Sequence, residues 1–181
     1  MLRVISGIYR GRKIKEPENS SVSRPTMDRI KESMFAILQH RIRGAKVLDL
    51  FAGSGSLGIE SLSLGAKKCV FVDSDKVAYK TILENLKSLN ENQEVLNIAF
   101  DEALMKFAKL GVKFDVILLD PPYDDDLGLN AIKLIKKLNL LCDDGVVVYE
   151  TNRDLKQEAE AVFENVDERK YGQKRILFLK N

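Results

Sequence analysis

Four consecutive residues, Asp120-Pro121-Pro122-Tyr123, form a motif that can hold and activate a flat amine. The Asp120 carboxylate and the Pro121 carbonyl can accept both hydrogens of an exocyclic NH2 group, and Tyr123 offers a ring on which a planar base can stack. The prolines stiffen the turn because their φ angles are fixed and they have no N–H to donate. An aromatic amine is a poor nucleophile, and a fixed carboxylate stabilises the positive charge that develops as its nitrogen receives a methyl group. The motif therefore predicts methyl transfer to an unpaired or flipped-out base.

A glycine-rich segment, "VLDLFAGSGSLGIES" at residues 47–61, predicts the second ligand. Its glycines match the dinucleotide fingerprint, and Asp73 follows the first of them by 20 positions, where an acid binds ribose hydroxyls. Asp49 separates two cofactor classes, because a carboxylate beside this turn repels a pyrophosphate and suits the cationic ammonium and sulfonium of S-adenosylmethionine. We therefore predict S-adenosylmethionine as the cofactor, bound by Asp49, Phe51, Gly53, Gly55, Asp73, Ser74 and Asp101.

The assignment of Asp101 has an alternative. Asp101 follows the third predicted strand, where an acid can contact the adenine amine. The same residue can instead be the N-cap of the helix predicted for "EALMKFAKL". The sequence leaves both interpretations open.

The elements that position these residues follow a regular order. From residue 46, apolar runs that predict strands ("KVLDLFA", "CVFVDSD", "EVLNIAF", "FDVILLD", "GVVVYET") alternate with helical patterns, so we expect parallel βαβ units. The closing "RKYGQKRILFLKN" has no intervening helix and predicts an antiparallel edge hairpin with the segment around residues 162–170. The fold class is α/β: a Rossmann-like, doubly wound sheet of about seven strands with a small N-terminal hairpin and helix. Ligands bind beyond the carboxyl ends of such strands, which places the amine motif opposite the glycine loop.

Two helices have a predicted buried face. After a hairpin with turns at Gly7 and Gly11 and a polar loop, Thr26 can cap a helix whose inward residues are Ile30, Met34, Ile37 and Leu38. In "DKVAYKTILENLKSLN" the inward set is Val77, Ile82, Leu86 and Leu89. We divide the chain into a basic N-terminal extension, residues 1–45, and a catalytic domain, residues 46–181.

Charge and composition exclude several classes of protein. Residues 1–46 contain 11 Lys and Arg against 4 Asp and Glu, whereas the whole chain of 181 residues carries a net charge of +2, so the N-terminal part predicts contact with a polyanion. No segment approaches the roughly 18 uninterrupted apolar residues of a membrane span, and the start lacks a secretory signal, so we expect a cytoplasmic protein. Cys69, Cys142 and the single histidine, His40, form no metal-binding motif.

The order of these segments resembles one family along nearly the whole chain. "LRVISGIYRGRKIKEP", "SRPTMDRIKESMFAIL", "VLDLFAGSGSLGIESLSLGA", "FDVILLDPPY" and "YGQKRILFL" are similar to segments of the RsmD-type 16S ribosomal RNA guanine-N2 methyltransferases of bacteria, which are class I S-adenosylmethionine-dependent enzymes. The resemblance implies methylation of the N2 amine of a guanine in 16S rRNA, with the small ribosomal subunit or its assembly intermediate as the expected substrate; the sequence leaves naked RNA open as an alternative. We expect the protein to be a monomer. The resemblance also implies RNA contacts at Arg3, Arg10, Arg12, Lys13, Arg24, Thr26 and Arg29.

Three other functions stay open at this stage. A DNA adenine-N6 methyltransferase uses the same amine chemistry, although the short basic extension leaves no room for a large base-reading domain. A nicotinamide oxidoreductase would require a pyrophosphate to tolerate Asp49. A catalytically inactive RNA-binding protein of the same fold is expected to have lost one of four residues that are all present: Asp49, Gly53, Asp73 and Asp120.

Overall fold

The computed structural model describes residues 1–17, 24–122 and 126–181. The chain begins with a short antiparallel hairpin, β1 (Leu2–Arg3) and β2 (Lys13–Ile14), followed by helix α1 (Arg24–Ile42). Gly7 and Gly11 both have positive φ in the turns that join the two strands, which confirms the predicted hairpin.

Five parallel strands make up most of the main sheet. In chain order they are β3 (Lys46–Leu50), β4 (Lys68–Val72), β5 (Glu94–Leu96), β6 (Phe114–Leu119) and β7 (Leu141–Thr151). Helices α2 (Ser56–Ser63), α3 (Lys76–Ser88), α4 (Phe100–Lys109) and α5 (Asp126–Lys137) connect them. The βαβ alternation predicted from the apolar runs is therefore present, although β5 stops at Leu96 and the rest of its predicted segment leads into α4.

The last part of the chain completes the sheet with antiparallel strands. After α6 (Lys156–Glu160), β8 (Asn165–Tyr171) and β9 (Lys174–Lys180) form a hairpin whose turn contains Gly172 at φ +62°. The sheet order is β5-β4-β3-β6-β7-β9-β8, so β9 inserts between β7 and the edge strand β8. The predicted Rossmann-like α/β fold with an antiparallel C-terminal edge is confirmed.

Two apolar clusters cover the two faces of the sheet. The first joins the hairpin residues Leu2, Val4 and Ile14 and the inner face of α1 to strand residues such as Val47 and Phe71. The second packs α4, α5 and α6 against the opposite face. The N-terminal extension thus contributes to the core of the sheet, and its treatment as a separate unit ending at residue 45 stays a prediction.

Three details of the predicted helices are wrong. Helix α1 begins at Arg24, so Thr26 lies inside its first turn and is not the N-cap. Ile30, Met34 and Leu38 are buried, but Ile37 is 42% exposed because it lies at the margin of the buried stripe, where Phe35 and Ile42 are buried instead. Val77 is 49% exposed at the start of α3, and Ala78 takes its inward position. No helix within the described residues is both long and apolar enough to cross a membrane.

Candidate active site

A cavity of about 640 Å³ lies at the carboxyl ends of the central strands. The predicted site residues that line it are Asp49, Phe51, Gly53, Asp73, Ser74, Asp120 and Pro122. Gly55, Pro121 and Asp101 are not among the lining residues, and Tyr123 lies outside the described part of the chain. The topology therefore brings the glycine loop and two residues of the amine motif, Asp120 and Pro122, to one cavity.

The three glycines that follow β3 occupy their positions for different structural reasons. Gly53 has φ +58°, and a Cβ built there meets no atom within 4 Å, so this backbone is open to a ligand on its cavity side. Gly55, at φ +78°, is the N-cap of α2. Gly58 has no room for a side chain, because its Cβ would lie 2.2 Å from Cε1 of Phe71 and 2.8 Å from Sγ of Cys69. The first glycine thus leaves space for a ligand, whereas the third allows α2 to pack closely on β4.

Asp49 is buried in the wall of the cavity, 1% exposed. The Gly58 N–H donates to its Oδ2 at 2.8 Å, which fixes the carboxylate against the start of α2. Burial raises the pKa of Asp49 well above its usual range; the Gly58 hydrogen bond opposes this shift, and the nearby Asp120 and Asp73 add to it. A cationic ligand group beside Asp49 would favour its ionised form.

Asp73 connects the glycine loop to the second strand. Its Oδ2 accepts from the Gly53 N–H at 2.8 Å, and its Oδ1 accepts from the Asp75 N–H at 2.9 Å. Each oxygen retains a further lone pair that can accept from a ligand hydroxyl. Asp73 therefore shapes the loop, and its predicted contact with ribose hydroxyls stays a prediction.

The segment that follows β5 presents an apolar residue to the cavity, whereas the sequence predicted a contact from Asp101. Asp101 is exposed in the first turn of α4, where its Oδ1 accepts from the Glu102 N–H at 2.9 Å. The N-cap of α4 is Ala99, so the N-cap interpretation of Asp101 is wrong, and its contact with adenine stays a prediction. Phe100 lines the cavity instead, with its ring centroid 5.2 Å from that of Phe51. These two rings supply an apolar surface suited to a flat ring system.

Asp120 follows β6 directly and faces the cavity. Burial raises the pKa of Asp120 from 3.8 to about 7; the Glu150 carboxylate adds to this shift and the Lys174 ammonium opposes it. Perturbed acids of this kind are typical of functional sites.

Glu150 and Lys31 line the cavity but are not among the residues predicted from the sequence. Glu150, 9% exposed near the end of β7, forms an ion pair with Lys174. Its signal was available, since it is a strand-end acid like Asp49 and Asp120. Lys31 is 3% exposed, and nothing in the sequence beyond its place on α1 indicated that it lines the cavity.

The Lys31 ammonium belongs to a buried polar network. Its Nζ donates to the Arg3 carbonyl at 3.1 Å and to Ser56 Oγ at 3.0 Å, and it lies 3.6 Å from Oε2 of the fully buried Glu60. Glu60 accepts in turn from the backbone N–H groups of Ile5 and Ser6. The network joins the N-terminal hairpin to the first residue of α2, immediately after the glycine loop.

The predicted RNA contacts on the hairpin form a basic surface. Arg3, Arg10, Arg12, Lys13 and Arg29 are exposed. Arg3 and Lys13 are direct cross-strand partners, an arrangement of like charges that is unfavourable without a counterion. Arg12 also has an internal role, because its Nη2 donates to the Ser88 carbonyl at 2.6 Å. The side chains of Arg24 and Thr26 lie outside the described structure.

Comparison with known proteins decides the family. The family model described as "Conserved hypothetical protein 95" matches residues 2–180. The chain belongs to this family. It is 40% identical to ribosomal RNA small subunit methyltransferase D of Haemophilus influenzae over 84% of this chain and 80% of that protein. The resemblance to RsmD-type proteins stated from the sequence is therefore confirmed.

Two solved structures share the fold. The Escherichia coli protein yhhF matches with a TM-score of 0.83 and 30% identity over 99% of this chain and 98% of its own. The Thermus thermophilus 16S rRNA N2 methyltransferase RsmC, solved in complex with AdoMet and guanosine, matches with a TM-score of 0.76. That match covers 91% of this chain and 44% of RsmC at 23% identity, so it shows a common fold.

Proposed function

We propose that this protein transfers a methyl group from S-adenosylmethionine to the exocyclic N2 amine of a guanine in 16S rRNA. The proposed substrate is the RNA within the small ribosomal subunit or an assembly intermediate, and the proposed active form is a monomer. The observation that carries the proposal is that Asp120 and the glycine loop line one cavity. The family relative named ribosomal RNA small subunit methyltransferase D supports the ribosomal substrate, and the RsmC complex supports the cofactor and the base.

The residues around the glycine loop fit the proposed cofactor. Asp49 places an acidic group where the ammonium and sulfonium need one, Gly53 leaves its backbone open, and Asp73 can accept from the ribose hydroxyls. Phe51 and Phe100 provide the apolar surface for adenine. When bound, S-adenosylmethionine supplies a methyl group on a cationic sulfur, which is the electrophile of the reaction.

Asp120 carries the acceptor side of the chemistry. In its ionised form it accepts a hydrogen bond from the amine and stabilises the positive charge that develops on the nitrogen. With a pKa of about 7, it is also suited to take the proton that the methylated amine releases. Holding the amine and the methyl donor in one cavity contributes further through proximity.

The basic hairpin fits the proposed RNA substrate. Arg3, Arg10 and Lys13 are exposed on a unit that is attached to the cofactor loop through Lys31 and Glu60. Clustered positive charges bind phosphates without reading sequence, and a folded RNA can supply specificity through its shape.

The test is to identify the modified nucleoside. The protein is incubated with labelled S-adenosylmethionine and small ribosomal subunits from a strain lacking the modification, and the RNA is then digested. We expect labelled N2-methylguanosine; N6-methyladenosine would instead favour the adenine-directed alternative and overturn the proposal.

A matched pair of variants assigns the chemistry to the cavity. Asp120→Ala is expected to lose most transfer and still bind S-adenosylmethionine, whereas Asp143→Ala, at an exposed position on β7, is expected to retain both. Transfer by Asp120→Ala at the parent rate would refute the acceptor role of Asp120.

A further inference from the structure

Asp120 and Glu150 lie side by side at the carboxyl ends of two neighbouring strands. Strands β6 and β7 are parallel, and Leu119 is paired with Tyr149, so the next residue on each strand is one of the two acids. Neighbouring strands are about 4.8 Å apart, and both residues line the same cavity. The cavity thus presents two adjacent acceptors where the amine motif begins.

Glu150 is held firmly in this position. Its backbone is paired with Ile176 in the β7–β9 ladder, and its Oε1 is ion-paired with Lys174, the first residue of β9. The side chains of Glu150 and Lys174 are 10% and 17% exposed. Lys174 offsets the charge of Glu150 and also lies close enough to Asp120 to oppose the rise in its pKa. The Lys174 ammonium therefore offsets part of the repulsion between the two acids.

Two adjacent carboxylates distinguish the Watson–Crick edges of the purines. Guanine presents two neighbouring donors, N1–H and the N2 amine, and each can pair with one carboxylate. Adenine presents a donor at N6 next to an acceptor at N1, so a second carboxylate would face a lone pair. A buried acceptor left opposite an acceptor costs binding free energy, which makes this pair of acids selective.

We propose that Glu150 accepts the N1–H of the target guanine while Asp120 accepts from its N2 amine, so that Glu150 determines the choice of guanine over adenine. This inference rests on the proposed function and adds a specificity residue to it. A buried carboxylate facing a base donor discriminates by hydrogen bonding, and its removal is expected to relax that discrimination.

The test compares two nucleosides that differ at N1 and at C6, where only guanosine carries an oxo group. Parent and variant are measured with the same pair, so a change of preference on substitution reports on Glu150. Guanosine and 2-aminopurine riboside both carry the N2 amine, but the latter has an acceptor at N1. Their affinities for the full-length chain with S-adenosylhomocysteine bound are measured by ligand-observed NMR. We expect the parent protein to prefer guanosine by about tenfold or more. Glu150→Gln, whose amide can donate to N1, is expected to reduce the preference to about threefold or less.

Glu168→Gln is the matched control. Glu168 lies on β8, its side chain is also 10% exposed, and it pairs with Arg175 at 2.8 Å, but it does not line the cavity. We expect it to keep the parent preference. The proposal is overturned if Glu150→Gln also keeps that preference, or if the parent protein shows none, whether it binds both nucleosides or neither.

Failure of this inference is distinguishable from failure of the proposed function. If subunits acquire N2-methylguanosine while Glu150→Gln retains the parent preference, only the role of Glu150 is wrong. If no N2-methylguanosine forms, the proposed function itself fails.

Discussion

The protonation of Asp120 links its environment to the expected pH dependence of the reaction. In the proposed reaction Asp120 must be ionised to stabilise the positive charge on the nitrogen and to take its proton, and the pKa of this carboxyl in the free protein is about 7. We therefore expect kcat/KM for methyl transfer to rise as the pH increases through about 7 and to level off above it. The profile is measured from about pH 5 to about pH 9, with Asp143→Asn as the control. A profile that is flat through neutrality would contradict the assignment.

The raised pKa of Asp120 also predicts how the free energy of unfolding changes with pH. An acid whose pKa is lowered on folding stabilises the folded state at higher pH, and Asp120 is expected to do the reverse. Because the pKa of Asp120 is raised from 3.8 to about 7, the folded state retains a proton that the unfolded state has released. Its contribution to the free energy of unfolding is greatest below 3.8 and declines as the pH rises through this window.

Asp120→Asn removes this decline. The quantity compared is the urea midpoint of unfolding of the variant minus that of the parent. We expect this difference to be more positive at about pH 8 than at about pH 4. A difference that does not change between the two pH values would show that Asp120 is not destabilised by its surroundings.

At the scale of elements, the contact of α2 with β4 depends on the absence of one side chain. The Cβ of an alanine at position 58 would lie 2.2 Å from Cε1 of Phe71, so Gly58→Ala is expected to destabilise the fold by about 1–3 kcal/mol. Phe71→Leu, which removes the ring, is expected to recover part of this loss when the two substitutions are combined. Urea unfolding of both single variants and the double variant measures the coupling. Additive effects would mean that the ring is not the obstacle.

The elements were predictable to the extent that they follow from local patterns. Apolar runs identify β3, β4, β6 and β7, and the absence of a helix between the last two strands predicts their antiparallel hairpin. The exposure of Ile37 and Val77 was not predictable. The periodicity of a sequence identifies the apolar side of a helix, but it does not show how much of that side the neighbouring elements cover. The short β5 likewise depends on where α4 begins.

The candidate site was predictable where its residues belong to a local motif. Asp49, Gly53, Asp73 and Asp120 follow strands in a recognisable order, and the topology brings them to one cavity. Lys31 and Glu150 approach that cavity from a helix and a strand far away in the chain, and no spacing rule connects them to the motifs. Glu150 could have been noticed as a strand-end acid, but the approach of Lys31 to the cavity depends on tertiary packing, which a single sequence does not display.

For the molecule as a whole, different elements cover the two faces of the sheet. The hairpin and α1 cover one face, and α4 to α6 cover the other. If RNA binds the hairpin side, Arg10→Glu is expected to weaken binding and to reduce the slope of log affinity against log salt by about 1 or more. Lys137→Glu, an exposed charge reversal on α5, is the control and is expected to leave the slope unchanged. Equal changes in both variants would place the RNA elsewhere.

The network around Lys31 predicts coupling between the proposed RNA surface and the proposed cofactor site. The Lys31 ammonium donates to the Arg3 carbonyl of the hairpin and to Ser56 Oγ after the glycine loop, so we expect RNA bound at the hairpin to favour the arrangement of the loop that binds the cofactor. Any such coupling is reciprocal, so we expect RNA and S-adenosylhomocysteine to raise each other's affinity by the same factor. We expect Lys31→Met to bring that factor toward one, as measured by titrating S-adenosylhomocysteine with and without RNA; an unchanged factor would show that the network transmits nothing. Through this one buried ammonium, the affinity of the protein for its methyl donor would depend on whether RNA is already bound.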